Sequence, residues 1–450
     1  MEPTRPEVIR GIPVFKALKI LRGGCLRRGR GQFYSLSQRT PELAQFWSHS
    51  WRTSPLLKYR CVLYLNNGLP AFFVGILFSL TAACLYIAGI LPATAVREGV
   101  DCVWCTPAGA LGYLVGLLIW KRRKKVFLDV ACIDQTNQKR KAEGLVSMGA
   151  FLKSSESLLV LWDLTYTCDY VGRKANLVVC PVSVGVVLLF GHFALALFHL
   201  LFMILPVPAA PADFWPVGVI IVVGLCFPSY TALAYIALEH TRSIDKIHRQ
   251  VQNFTMEHAS AACCAMQHVT RGGQPILCDR VIISRCITSW FGSLQSFEDN
   301  VRSQVREVLV HQLTYNTFTY SRLVQLTAPA LFFKLDRLAH SVVRDGKLPV
   351  DQVLTIIDDW LIFLPTLFLI HLQLTYRLRG CCGTKLKQLL ASFLVVLVGI
   401  FSYVVVAAGE AVCLFLIEDI ALARLVTVLV LLPLALFVWW RVPRPEKALT

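Results

Sequence analysis

The stretch LVVCPVSVGVVLLFGHFALALFHLLFMIL, residues 177–205, decides the fold class. It carries no Asp, Glu, Lys or Arg, and its polar groups are His192, His199 and Ser183. A helix needs about 20 predominantly apolar residues to cross a bilayer core, and this run exceeds that length, with room for tilt. Six further apolar runs extend the pattern: 69–92, 104–120, 215–238, 358–376, 389–409 and 422–440. The shortest, 104–120, borrows from Cys102 and Val103. These runs predict a mainly α chain, a polytopic helical membrane bundle of 7–8 spans. A small α/β cytosolic module and a helical cytosolic segment lie between the spans.

Composition agrees. Of 450 residues, 55% are hydrophobic and 16% charged, and the mean hydropathy is +0.57. Soluble domains carry about 25% charged residues, so an ordinary soluble enzyme is disfavoured. Disorder, collagen and a small disulfide scaffold are excluded. The formal net charge of +17 would suit nucleic acid. The cations cluster at the ends of apolar runs, however: Lys121, Arg122, Arg123, Lys124 and Lys125 after one run, and Arg377, Arg379, Lys385 and Lys387 between two others. That placement marks membrane topology and an anionic inner leaflet as the partner. No nucleic-acid partner is expected, and no small-molecule ligand is identified.

The basic N-terminus is expected to be cytosolic, with 121–176 and 239–322 on the same side. The sequon Asn253-Phe-Thr255 is then expected to stay unmodified. Keeping the basic 377–387 loop and the tail inside requires an eighth, partly polar crossing, for which 323–333 is the candidate. The chain accordingly divides into a basic segment 1–42, module pieces 43–68 and 121–176, and transmembrane hairpins 69–120 and 177–238. Beyond these come a helical region 239–322, a partial crossing and linker 323–357, C-terminal spans 358–440, and a basic tail 441–450.

Within 121–176, the segments 126–130 and 158–162 read as apolar strands buried on both faces, with a helix over 139–153 between them. The motif VFLDVACIDQ at 126–135, GLVSMGAFL at 144–152 and SLLVLWDLTY at 157–166 resemble the middle of a TIR-like domain. FWSHSW at 46–51 resembles its first strand. The split arrangement is similar to a family of multipass membrane proteins of dinoflagellate algae, as are CDR at 278–280, ITSWFGS at 287–293, Phe297-Glu298 and Val301-Arg302. The resemblance covers 43–180 and 260–340. It implies a degenerate TIR-like module marked by Ser48, His49, Trp51, Asp129, Cys132, Asp134, Gln135, Trp162 and Tyr166. Catalytic TIR domains cleave NAD with a glutamate after a Trp-Cys pair. Here Val171 and Gly172 stand at that pair, and the glutamate register falls near Ala175. The resemblance therefore implies no enzyme, no catalytic residue and no cofactor.

In 239–322, Ile244, Ile247, Val251 and Phe254 form a short helical seam. Asp279 reads as an N-cap and Ser296 with Asp299 as a capping box. Phe297, Val301, Val305, Val308 and Leu309 make an apolar stripe, which either packs in a core or lies on a membrane surface. CVWC at 102–105 is a candidate disulfide, Cys102 with Cys105. Cys381 and Cys382, beside a span and between cations, are candidate palmitoylation sites. Cys263, Cys264, His268 and Cys278 match no zinc-finger spacing, so no metal site is expected. His192 and His199 share a helix face and, with Tyr230, could line a path or hold the bundle together. No buried carboxylate is expected in the clean apolar spans. The expected function is an interaction or signalling scaffold with a non-catalytic TIR-like module. The alternative is a channel or transporter lined by His192, His199 and Tyr230.

Overall fold

The computed structural model describes residues 2–23, 30–49, 54–94, 102–162, 176–204, 217–257, 262–265, 267–269, 275, 278–305 and 317–440. The fold is mainly α. The chain divides into two compact units, one of residues 1–66, 121–184 and 243–317, the other of 67–120, 185–242 and 318–450.

The first unit is organised by a six-stranded sheet: β1 Arg10–Pro13, β2 Gln38–Arg39, β3 Gln45–His49, β4 Lys125–Phe127, β5 Ser157–Trp162 and β6 Asn176–Pro181. Its order is β2-β1-β4-β3-β5-β6. β3 runs parallel to β4 on one side and to β5 on the other, with Phe46 opposite both Phe127 and Leu158. β5 and β6 are parallel over six residue pairs, and β1 is antiparallel to β4. Phe46, Trp47, Phe127, Leu159 and Leu161 are buried. Phe46 stacks on Phe127 at 4.3 Å between centroids, and Phe127 meets Phe151 at 4.6 Å. A sheet covered on both faces explains why these strands are apolar without alternation.

Several sequence expectations are corrected here. The strand expected over 126–130 ends at Phe127, because Asp129 starts a short helix, Asp129–Cys132, and its Oδ1 accepts the Val130 N–H at 2.7 Å. The helix expected over 139–153 is two, Gln138–Val146 and Met148–Lys153, broken at Ser147, whose Oγ accepts the Thr4 N–H at 3.1 Å. The run 177–205 is not one span. Its first residues complete β6, and the helix is Val182–Ile204. The 1–42 segment, beyond being basic, supplies β1, β2 and the helix Val14–Arg22.

Helices Asp279–Phe291 and Leu294–Asn300 belong to the same unit. The first is preceded by Cys278 at the N-cap, not Asp279. The second is capped by Ser293, whose Oγ accepts the Ser296 N–H at 3.0 Å, so Ser296 is not the cap. Between them Gly292 has φ of 81°, a left-handed turn that favours glycine. Phe297 packs against Phe254 and Phe291, so this end of the apolar stripe is core rather than membrane-facing. Val308 and Leu309 lie outside the described residues.

Six helices among the described residues are long and apolar enough to cross a membrane: Pro55–Ile87, Val182–Ile204, Ile221–Gln252, Val350–Leu378, Lys385–Leu416 and Ile420–Trp440. By that criterion the chain is a multi-pass integral membrane protein. The expected span at 104–120 is a shorter apolar helix, Cys105–Ile119. It packs closely on Pro55–Ile87 through small residues. A Cβ added to Gly112 would lie 2.7 Å from the Phe78 Cβ, and one added to Gly109 would lie 2.4 Å from the Phe332 ring. The candidate crossing at 323–333 is two helices, Tyr320–Leu326 and Ala328–Asp345, meeting at Thr327 with Pro329 in the first turn of the second. Neither is long and apolar enough to span, because the second carries Lys334, Asp336, Arg337 and Arg344. Val350–Leu378 contains a π-helical stretch, Ile357–Phe363, an irregularity that often accompanies function.

Candidate functional site

In an open parallel sheet, ligands bind outside the carboxyl ends of the strands where the connections diverge. In the first unit that point lies between β3 and β5: the chain leaves β3 for β4 on one side and β5 for β6 on the other. Of the residues singled out from the sequence, Ser48, His49 and Asp129 lie at or just beyond the carboxyl ends of β3 and β4. Ser48 is buried, and the buried His49 ring lies 3.9 Å from Asp129 Oδ1. Burial pushes the His49 pKa down, partly opposed by the Asp129 charge. Cys132 is buried near the Leu128 N–H at 3.5 Å, and burial pushes its thiol up to about 12. Gln135 donates to the Asp129 carbonyl at 3.4 Å. Asp134 Oδ1 accepts from the Thr136 hydroxyl at 2.6 Å and from the N–H groups of Thr136 and Asn137. Burial disfavours its ionised form, but these bonds and Arg140 outweigh that and hold the carboxyl below its ordinary value. Trp51, Tyr166 and Ala175 lie outside the described residues, as does the Trp162 side chain.

In the second unit the sequence-derived polar residues are separately packed. His192 is fully buried, stacks on Tyr113 at 3.7 Å, and places Nδ1 3.2 Å from the Gln325 carbonyl. It therefore ties Val182–Ile204 to Tyr320–Leu326. His199 Nδ1 is 2.8 Å from the carbonyl of Leu195 in its own helix, and Tyr230 meets Phe198 edge-on. The expectation of no buried carboxylate in the spans is corrected. The run 389–409 extends to Lys385–Leu416 and takes in Glu410, while Asp358 and Asp359 sit on the π-helical stretch within Val350–Leu378. The three carboxylates lie close together. Lys334 pairs with Asp359, Arg424 pairs with Glu410 at 2.6 Å, and Asp358 is buried with its Oδ1 unpartnered. The sequence signal was present in the Asp-Asp pair, but it reads as an orientation mark at a span end.

Asp336 was also missed. It is buried and caps Cys105–Ile119: its carboxylate accepts the Cys105 N–H at 2.7 Å, the Thr106 N–H at 2.9 Å and the Thr106 hydroxyl at 2.6 Å. A carboxylate there satisfies orphan donors and complements the helix dipole. Cys102 and Cys105 carry free thiols, and the Cys102 thiol donates to Asp336 at 3.4 Å. Of the palmitoylation candidates, Cys381 is exposed. Cys382 is buried, its thiol 3.2 Å from the Leu378 carbonyl.

Cys263, Cys264, His268 and Cys278 come together in the first unit, although their spacing matched no known pattern. Desolvation raises the Cys278 thiol, but the Val281 N–H, the His268 ring and Cys264 outweigh it and bring the pKa to about 7. Comparisons with protein-family models, with curated proteins and with solved structures give no match.

Proposed function

We propose that the chain is a multipass membrane scaffold for interaction or signalling whose α/β unit is a non-catalytic TIR-like module. One observation carries this reading. The central strand β3 is separated in sequence from its parallel neighbour β4 by the hairpin segment 67–120 of the other unit. A sheet assembled from chain on both sides of a membrane insertion is covalently tied to that insertion, through the carboxyl end of β3 and the amino end of β4, which suits a module that reports to partners. The groups beyond the carboxyl end of β4 support the same reading. Asp134 and Gln135 are engaged in fixing their own loop, and the NAD-cleaving glutamate register falls near Ala175. The partners are an anionic inner leaflet, met by the basic flanks, and a protein docking at the carboxyl ends of the strands.

Two measurements test the proposal. Purified protein in lipid discs should not consume NAD above a denatured control. Turnover abolished by a substitution within 126–162 would overturn the non-catalytic assignment. A photo-crosslinking residue at exposed Lys139 should give a discrete protein adduct in native membranes, and adducts to lipid alone would count against a scaffold. A second reading, an ion path, is favoured by the carboxylates Asp358, Asp359 and Glu410 within spanning helices, since ionisable groups there commonly mark transport routes. Liposome flux that disappears in Asp358→Asn would support it over the scaffold.

A further inference from the structure

The cluster Cys263, Cys264, His268 and Cys278 is built from three separate pieces of local structure. Cys263 and Cys264 lie on a single helical turn, Ala262–Ala265. The chain then reverses: Gln267 and His268 both adopt positive φ, 53° and 58°, and their N–H groups bond back to the carbonyls of Cys264 and Cys263 at 3.1 and 2.9 Å. Two consecutive non-glycine residues in the left-handed region are uncommon. The reversal returns the imidazole to the two thiols it has just passed. An antiparallel bridge between Val269 and Pro275 then folds the chain again and delivers Cys278 at the start of Asp279–Phe291.

The dimensions suit one ion. All four ligand atoms lie within 4.8 Å of one another, and the Cys264 and Cys278 sulfurs are 3.8 Å apart. Zn–S bonds of about 2.3 Å set at tetrahedral angles place sulfurs about 3.8 Å apart. The surroundings also suit thiolates. The Asp279 N–H points at the Cys263 sulfur at 3.2 Å, the kind of outer hydrogen bond that orients a metal ligand. His268 Nε2 is buried without a hydrogen-bond partner among the described residues.

We propose that Cys263, Cys264, His268 and Cys278 form a closed tetrahedral Cys3His site for a structural zinc ion. Four protein ligands leave no open position, so the ion serves the fold rather than a reaction. Its mechanical role follows from Asp279, which is next to Cys278 and also pairs through its carboxylate with Lys141 at 3.0 Å. Zinc fixes the N-terminus of Asp279–Phe291, and through it the contact with the Gln138–Val146 helix. The inference does not depend on the scaffold reading.

The test is metal content of the full chain, expressed with added zinc and purified in detergent under reducing conditions. Wild type should hold about one zinc per chain. His268→Ala and Cys278→Ser should lose at least about tenfold of it, while Cys286→Ser, outside the cluster, should keep it. Cobalt-exchanged wild type should show the absorption of tetrahedral thiolate-bound Co(II), a readout that needs no folded variant. Zinc-free wild type with freely titrating thiols and no cobalt spectrum would overturn the site. So would zinc retained in the His268→Ala, Cys278→Ser double variant, or a Cys264–Cys278 disulfide found under reducing conditions.

Discussion

The two units differ in how far along the chain some of their carboxylates reach for partners. In the sheet unit, two carboxylates beyond the end of β4 are met from nearby in sequence: Asp134 by Thr136 and Asn137, Asp129 by Val130. In the helical unit the partners are distant in sequence: Asp336 with Cys105 and Thr106, Lys334 with Asp359, Arg424 with Glu410. Inside a bilayer there is no water to complete an unmet bond. A polar group there is met within its own helix, as His199 is by the Leu195 carbonyl, or across helices, and a partner across helices helps fix which helices pack. Sheet strands find their partners in the backbone ladder, leaving the side chains free to pack by shape.

This contrast makes the two cores break differently. Phe127→Ala removes a ring packed between Phe46 and Phe151 and should cost about 3–5 kcal/mol, read as a lower unfolding midpoint of the sheet unit. Asp336→Leu should cost at least as much for another reason: it orphans the Cys105 N–H, the Thr106 N–H and the Thr106 hydroxyl at about 1–3 kcal/mol each, and the Cys102 thiol as well. Asp336→Asn should fall between wild type and Asp336→Leu in thermal unfolding in detergent. If Asp336→Asn unfolds with wild type, the charge on the cap is not what matters. Gly109→Val places carbon into the Phe332 ring and should cost about 1–3 kcal/mol by overpacking, with helix content retained by circular dichroism.

The sheet unit has a pH signature. Because the folded His49 pKa is depressed, the unfolded chain binds the proton more readily. Stability is therefore present above the unfolded value, about 6.5. It falls as pH drops below that value and levels off below the folded one. His49→Gln should flatten that slope in denaturant titrations between neutral and acid pH. The smallest effect belongs to Lys141→Ala. Its partly exposed pair with Asp279 should contribute below about 1 kcal/mol and fade with added salt; a larger loss would mean that Lys141 supports more than an ion pair.

The strand at 158–162 was legible because a strong apolar run ended at a polar residue; the one beginning at Phe46 was reached only through the family resemblance, because Ser48 and His49 interrupt its apolar pattern. β6 was not: periodicity cannot separate a buried strand from the start of an apolar helix, and nothing before Pro181 marks the change. β1 was hidden by its length and by Gly11 and Pro13. The positive-φ turn at Gln267 and His268 carries no glycine, so the approach of the four metal-ligand residues left no trace in their spacing. The role of Asp336 depends on a partner more than two hundred residues earlier, which no local pattern reports.

The strand order also fixes a schedule of synthesis. β3, the central parallel strand, leaves the ribosome before either neighbour exists, and the hairpin segment 67–120 must be handed to the membrane before β4 appears. β6 follows β3 by more than a hundred residues. At about 5–20 residues per second, Phe46 and Trp47 wait on the order of ten seconds for the sheet to close. During that interval a nascent chain presents an incompletely paired apolar strand. This is the form most exposed to chaperones, and the point at which a delay in hairpin insertion would divert the sheet unit into aggregation.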